Sequence, residues 1–170
     1  MKSYIHYTII YSIFQTKSGE DEFERGVIMK IRDVMTSPAI RIQPEEPVAV
    51  AARTLEHYNI GALPVCGSDG QLKGILTDRD IVTRCLAAEQ NPGMTRVEQV
   101  MTARVLTVRP DSSTREAARL MGAQQVRRLP VVENGKLVGM VSLGDLASTF
   151  ESNQVAGDAL TEISLNISTR

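Results

Sequence analysis

Residues 33–80 of the chain are repeated at residues 99–145, and this duplication limits the architecture more than any single residue does. At an offset of 66, Val34, Met35, Thr36, Pro44, Ala51, Ala52, Arg53, Leu63, Pro64 and Val65 coincide with Val100, Met101, Thr102, Pro110, Ala117, Ala118, Arg119, Leu129, Pro130 and Val131. After one residue is lost in a turn, the offset is 65, and Gly74, Thr77 and Asp80 fall on Gly139, Ser142 and Asp145. Units this short bury an apolar face poorly on their own, so two copies are expected to fold face to face around one core. A cleft between such copies is a natural binding site.

Each copy predicts the order strand, helix, strand, strand, helix. A short turn (31–35; 97–101) leads to brief apolar strands at 39–42 and 105–108, which Pro44 and Pro110 terminate because proline has no N–H for a ladder. Apolar residues at Val48, Ala51, Ala52 and Leu55, and at Ala117, Ala118 and Met121, have the spacing of one buried helix face. Strands at 62–66 and 71–76, and at 129–132 and 136–141, flank Asp69-Gly70 and Asn134-Gly135, hairpin turns whose residues supply positive φ. A last helix starts at Thr77 or Ser142 and carries Ile81, Val82, Cys85 and Leu86, or Leu146 and Phe150. The chain divides into 1–28, a first copy at 29–90, a second at 91–150 with Asn91-Pro92-Gly93 in the connection, and 151–170. In the last stretch Val155, Ala156, Ala159, Leu160 and Ile163 predict an amphipathic helix that covers the module or a partner copy.

The first 28 residues differ in composition: Tyr4, Tyr7, Tyr11, Phe14 and Phe23 lie there, whereas Tyr58 is the sole aromatic between Met29 and Phe150. Their apolar stretch is too short and polar to span a bilayer, and no small-residue cleavage site follows. Two readings stay open, a disordered or swapped arm, or a segment upstream of a true start at Met29. Nineteen basic residues against twenty acidic ones leave no basic field for nucleic acid. Only Cys66 and Cys85 are present, which fits a reducing compartment, the cytoplasm by expectation.

The segments with chemistry are Gly74-Ile-Leu-Thr77-Asp-Arg-Asp80 and Gly139-Met-Val-Ser142-Leu-Gly-Asp145. Each sets a hydroxyl where a strand becomes a helix, with a carboxylate three positions on. This is close to a capping box, in which both side chains satisfy first-turn amides. The same geometry can seat a ribose phosphate, the hydroxyl and free amides holding phosphate and the carboxylate holding the sugar hydroxyls. Both readings stand at the level of these residues. His57 is expected to be a surface or capping residue, Cys66 and Cys85 small core residues, and no ligand spacing supports a metal. No nucleophile–base pair or Walker-type loop stands out, so an enzyme is not expected.

The chain resembles the tandem CBS-domain (cystathionine β-synthase domain) family over 31–147. The marks are Asp33-Val-Met-Thr36 and Gln99-Val-Met-Thr102, Ile60-Gly-Ala-Leu-Pro-Val65 and Val126-Arg-Arg-Leu-Pro-Val131, and the two Gly-h-h-Thr/Ser-x-x-Asp segments. The resemblance implies an α+β fold of two β-α-β-β-α repeats related by a pseudo-twofold axis. It also implies homodimerisation and clefts that take AMP, ADP, ATP or S-adenosylmethionine, with no required cofactor. Asp80 and Asp145 would hold ribose, and Thr77 and Ser142 phosphate. Ile40, Gly61 and Ala62 would line one site, and Leu106, Arg127 and Arg128 the other, with Arg79 adding charge to the first. The implied function is a non-catalytic sensor that signals through an effector protein in trans. The alternative is a ligand-free dimerisation or interaction module.

Overall fold

A computed structural model describes residues 29–148 and 153–165. After a 3-10 turn at Ile31–Asp33, the first copy contains helix α1 (Val48–Tyr58), strands β1 (Ala62–Cys66) and β2 (Leu72–Thr77), and helix α2. Helix α2 opens as Asp78–Asp80 and continues as a π-helical stretch, Ile81–Leu86. The second copy contains α3 (Val97–Val100), α4 (Thr114–Gln124), β3 (Arg128–Glu133), β4 (Lys136–Ser142) and α5 (Leu143–Ala147), and is followed by α6 (Asn153–Leu165). Each copy has a two-stranded antiparallel sheet, with Leu63 opposite Leu76 and Leu129 opposite Val141.

The expected strands at 39–42 and 105–108 shrink to single parallel bridges, Ile42 with Val65 and Val108 with Val131. Proline is the cause. Ile42 N–H donates to Pro64 O and Cys66 N–H to Ile42 O, but Pro64 has no N–H for the next ladder bond, and Pro130 repeats this beside Val108. The hairpins differ from each other too. Asn134 and Gly135 both take positive φ, 52° and 79°, whereas in the longer first turn only Gly70 does, at 80°, and Asp69 does not.

The opening turns of the copies are exchanged. Ile31, fully buried, packs in the second copy's core with Ala117, Met121, Leu129 and Leu146, and Val34 and Met35 pack against that cluster. Val97 and Val100 of the second copy lie in the first copy's core with Val48, Leu63 and Leu76. Backbone bonds fix both crossings. Ile31 N–H donates to Ser112 O (2.9 Å) and Thr114 N–H to Met29 O (3.0 Å); Val97 N–H donates to Glu46 O (2.9 Å) and Val48 N–H to Thr95 O (2.9 Å).

Beyond the crossings, Thr36 bridges Met140 and Thr102 bridges Ile75, so each Met-Thr pair lies across the other copy's hairpin. Glycine makes that approach feasible. A Cβ on Gly74 would sit 2.7 Å from Thr102 O, and one on Gly139 2.9 Å from Thr36 O.

Helix α6 covers the second copy, as one of the two sequence expectations has it, with Ala156, Ala159 and Ile163 buried against α4 and α5. It approaches α4 closely at Gly122, where a Cβ would be 3.2 Å from Ala159 Cα. Leu160 is exposed, and Phe150, Val155 and residues 1–28 lie outside what is described at side-chain level. In α2 the expected buried face is only half realised. Ile81 and Cys85 are buried, but Val82 and Leu86 point to solvent.

Candidate functional site

Strand β2 ends at Thr77, whose extended backbone (φ −114°, ψ 161°) makes it the N-cap of α2. Thr77 N–H and Oγ1–H both donate to Asp80 Oδ2, at 2.9 and 2.7 Å, and Asp80 N–H donates back to Thr77 Oγ1 at 3.1 Å. The second copy repeats the device. Ser142 N–H and Oγ–H donate to Asp145 Oδ2 at 2.7 Å each, and Asp145 N–H returns a bond to Ser142 Oγ at 3.1 Å. The capping-box reading is therefore the geometry present in both copies. Capping uses one carboxylate oxygen, Oδ2, and leaves Oδ1 to bond elsewhere.

The two Oδ1 atoms differ in surroundings. Asp80, only 9% exposed, has Oδ1 3.4 Å from Arg84 Nη1. The same nitrogen donates to Val100 O (2.9 Å) and Thr102 Oγ1 (3.1 Å), so Arg84 ties the first cap to the segment that crosses from the second copy. Arg84 was not among the residues expected from sequence, although its place four residues after Asp80 on a helix was a readable signal. Thr149 occupies the matching position in the second copy, and Asp145 forms no ion pair among the described residues.

The expected lining residues regroup across the pseudo-twofold. A Cβ on Gly61 would be 3.5 Å from both terminal nitrogens of Arg128 and 3.3 Å from Asp78 Oδ2. Arg128 therefore reaches to the first copy's strand end, instead of belonging solely with Leu106 and Arg127 at the second. Ala62 is paired with Thr77 on the adjacent strand, and Arg128 with Ser142. Arg127 supports the second cap through its backbone, its O accepting from Leu143 N–H at 2.9 Å. Ile40 packs on the first core, Leu106 is 40% exposed, and Arg79 is exposed. A cavity of about 220 Å³ lies between the copies, lined by Leu72, Lys73 and Gly74 of β2, Ala103, Val105 and Thr107, and Val132 and Gly135. It adjoins β2 upstream of Thr77 and includes neither cap.

Both cysteines are buried, as expected. Burial pushes the Cys66 thiol up from its ordinary value; Arg41 pulls it partly back and Asp69 adds to the rise. Less thiolate means less nucleophile. A disulfide reagent at pH 8 is therefore expected to label the folded protein at Cys66 far more slowly than the denatured protein, and equal rates would contradict this environment. His57 stacks edge-on with Tyr58 at 4.8 Å. Among the described residues no three His, Cys, Asp or Glu side chains lie together as metal ligands, and no helix is long and apolar enough to cross a membrane.

The chain is 42% identical over 134 residues to the CBS domain-containing protein YhcV of Bacillus subtilis, covering 79% of this chain and 94% of that protein. It is 37% identical over 116 residues to Hypoxic response protein 1 of Mycobacterium tuberculosis, covering 68% of this chain and 81% of that protein. A crystal structure of Hypoxic Response Protein I with two coordinated zinc ions superposes with a TM-score of 0.66 at 36% identity, covering 70% of this chain and 97% of the other. The CBS domain pair of protein MJ0100, solved with 5'-methylthioadenosine and S-adenosyl-L-methionine, gives a TM-score of 0.67 at 28% identity, covering 74% and 98%. The CBS-domain profile itself matches twice, at residues 31–87 and 97–152. With the duplicated cap, the exchanged opening turns and these matches, the chain belongs to the CBS-domain family, as a tandem pair.

Proposed function

We propose that this CBS pair is a non-catalytic sensor of adenosyl compounds, the AMP, ADP, ATP or S-adenosylmethionine class, and passes its state to an effector protein in trans. The observation that carries the proposal is the paired cap: one hydroxyl and one carboxylate at a strand-to-helix junction, in the same hydrogen-bonded form in both copies. Asp80 and Asp145 would hold the ribose hydroxyls through Oδ1 while Oδ2 continues to cap. Thr77 and Ser142, with the helix amides, would face the phosphate of AMP, ADP or ATP. The Arg128 guanidinium beside Gly61 and Asp78 adds a bidentate phosphate partner at the first seat, so that seat would favour the more phosphorylated ligand. Gly61 and Ala62 would leave room for it. The adenosyl ligands bound by the MJ0100 pair support this class. The two buried thiols fit work in a reducing compartment such as the cytoplasm.

Calorimetric titration with AMP, ATP and S-adenosylmethionine tests the proposal. Asp80→Asn and Asp145→Asn keep an acceptor for the cap but remove the charge that strengthens bonds to ribose, about 1.5–3 kcal/mol per seat. Each is expected to weaken its own seat roughly ten- to hundredfold. Arg128→Met should weaken ATP more than S-adenosylmethionine. No binding heat and no rise in Tm with any of the three at millimolar concentration would leave the hydroxyls as helix caps alone, and the chain as an interaction module.

A further inference from the structure

The two seats differ in what their carboxylates hold. Asp80 Oδ1 is 3.4 Å from Arg84 Nη1, and that nitrogen also donates to Val100 O (2.9 Å) and Thr102 Oγ1 (3.1 Å). Val100 and Thr102 belong to the segment that crosses from the second copy, so one guanidinium touches the first seat and the crossing together. The second seat has no such link, because Thr149 stands in the place of Arg84 and Asp145 forms no ion pair among the described residues. The stretches beyond the crossings differ as well. After Thr36, Ser37 Oγ–H donates to Val138 O (2.9 Å), and Arg41 reaches the hairpin tip, its Nη1 3.4 Å from a Cβ position on Gly70. After Thr102 the matching residues are Ala103, which has no hydroxyl, and Thr107, which is too short: nothing lies within 4 Å of a Cβ position on Gly135. Both line the cavity of about 220 Å³ between the copies. Residues 103–107 therefore have space to shift, whereas 37–41 are held.

We infer that Arg84 is a positioning residue that makes the first seat the one whose filling moves the protein, and this rests on Asp80 holding ribose. Ribose hydroxyls bonded to Oδ1 take the oxygen that Arg84 faces, and the guanidinium leaves it. Without that carboxylate Arg84 loses the contact that aims it at Val100 and Thr102. The crossing at Thr102 loosens, and 103–107 move into the cavity. The free and filled forms then differ in a defined set of contacts, which gives a ligand the differential affinity that a two-state sensor requires. The second seat fills without moving its own stretch, because no side chain joins Asp145 to Thr36 and Ser37 keeps its bond to Val138 O.

Titration of ATP into the full chain carrying Asp145→Asn, which weakens the second seat, reads the first seat. Adding Arg84→Met is expected to tighten ATP about two- to fivefold, since the ligand no longer displaces an ion pair. The Arg84 side chain is 48% exposed, so this variant is expected to fold. Amide hydrogen exchange gives the second readout. ATP should speed exchange of Thr102 N–H, bonded to Ile75 O, and leave Thr36 N–H, bonded to Met140 O, unchanged. With Arg84→Met, Thr102 N–H should exchange at the faster rate before ATP is added. Ala103→Ser with Thr107→Arg, which copies the first stretch's anchors and leaves Arg84 in place, should suppress the response to ATP. Equal or weaker ATP binding in Arg84→Met, a Thr102 amide indifferent to ATP, or a response that survives the copied anchors overturns the inference and leaves the adenosyl reading standing. Failure of the wild type to bind ATP at either seat overturns both.

Discussion

Gly74→Ala is expected to destabilise the protein by about 3–5 kcal/mol, with Gly139→Ala close behind. The added Cβ would lie 2.7 Å from Thr102 O at the first site and 2.9 Å from Thr36 O at the second, and neither obstacle is a side chain free to rotate away. Relief requires moving the crossing strand, which breaks the reciprocal pair Ile75 N–H to Thr102 O (3.0 Å) and Thr102 N–H to Ile75 O (2.9 Å). Two backbone bonds at about 1 kcal/mol each, added to the usual overpacking cost of about 1–3 kcal/mol, give the stated range. Met101 Sδ, also 2.7 Å away, belongs to a flexible side chain and adds less. Gly157→Ala is the control. It sits in α6 with nothing within 4 Å of its Cβ position, and should stabilise by about 0.5–1 kcal/mol through helix propensity. Urea unfolding of the three variants decides the matter, and a Gly74→Ala chain as stable as wild type would refute the close approach.

These glycines also show where sequence reading stops. Gly74 and Gly139 were visible as duplicated positions, yet neither lies in a turn or takes positive φ, so their local sequence gave no hint that another strand passes over them. The caps were fully readable, because Thr77–Asp80 and Ser142–Asp145 act over three residues and depend on nothing distant. The helix faces of α1 and α4 were readable for the same reason. The exchange of opening turns was not. Ile31-x-x-Val34 and Val97-x-x-Val100 present near-identical apolar patterns, so exchanging their destinations leaves the local periodicity unchanged. The reach of Arg128 to Gly61 was not readable, because strand position fixes where its Cα lies and says nothing about how far a guanidinium extends across a pseudo-twofold. The shortened strands at Ile42 and Val108 were readable in principle, had Pro64 and Pro130 been considered as ladder partners as well as residues of their own strands.

The exchange has its own expected result: both copies unfold in one transition, and Ile31→Ala weakens the second copy's core although Ile31 precedes the first. Ile31 is fully buried among Ala117, Met121, Leu129 and Leu146, and its truncation leaves a cavity where α4 meets β3. The cost for a buried isoleucine is about 2–5 kcal/mol, a large share of the stability of an ordinary domain. Loss of packing at that point also loosens the bonds from Ile31 N–H to Ser112 O and from Arg32 N–H to Pro110 O, which hold the segment leading into α4. Val97, equally buried in the first copy's core, makes the reciprocal plug. Methyl NMR signals of Val65 and Val131, one from each core, report the two copies separately during urea titration. They are expected to move together in wild type and at a lower common midpoint in Ile31→Ala, because neither core is complete without a turn from the other copy. Two separate midpoints, or a Val131 signal untouched by Ile31→Ala, would mean that each copy closes on its own opening turn.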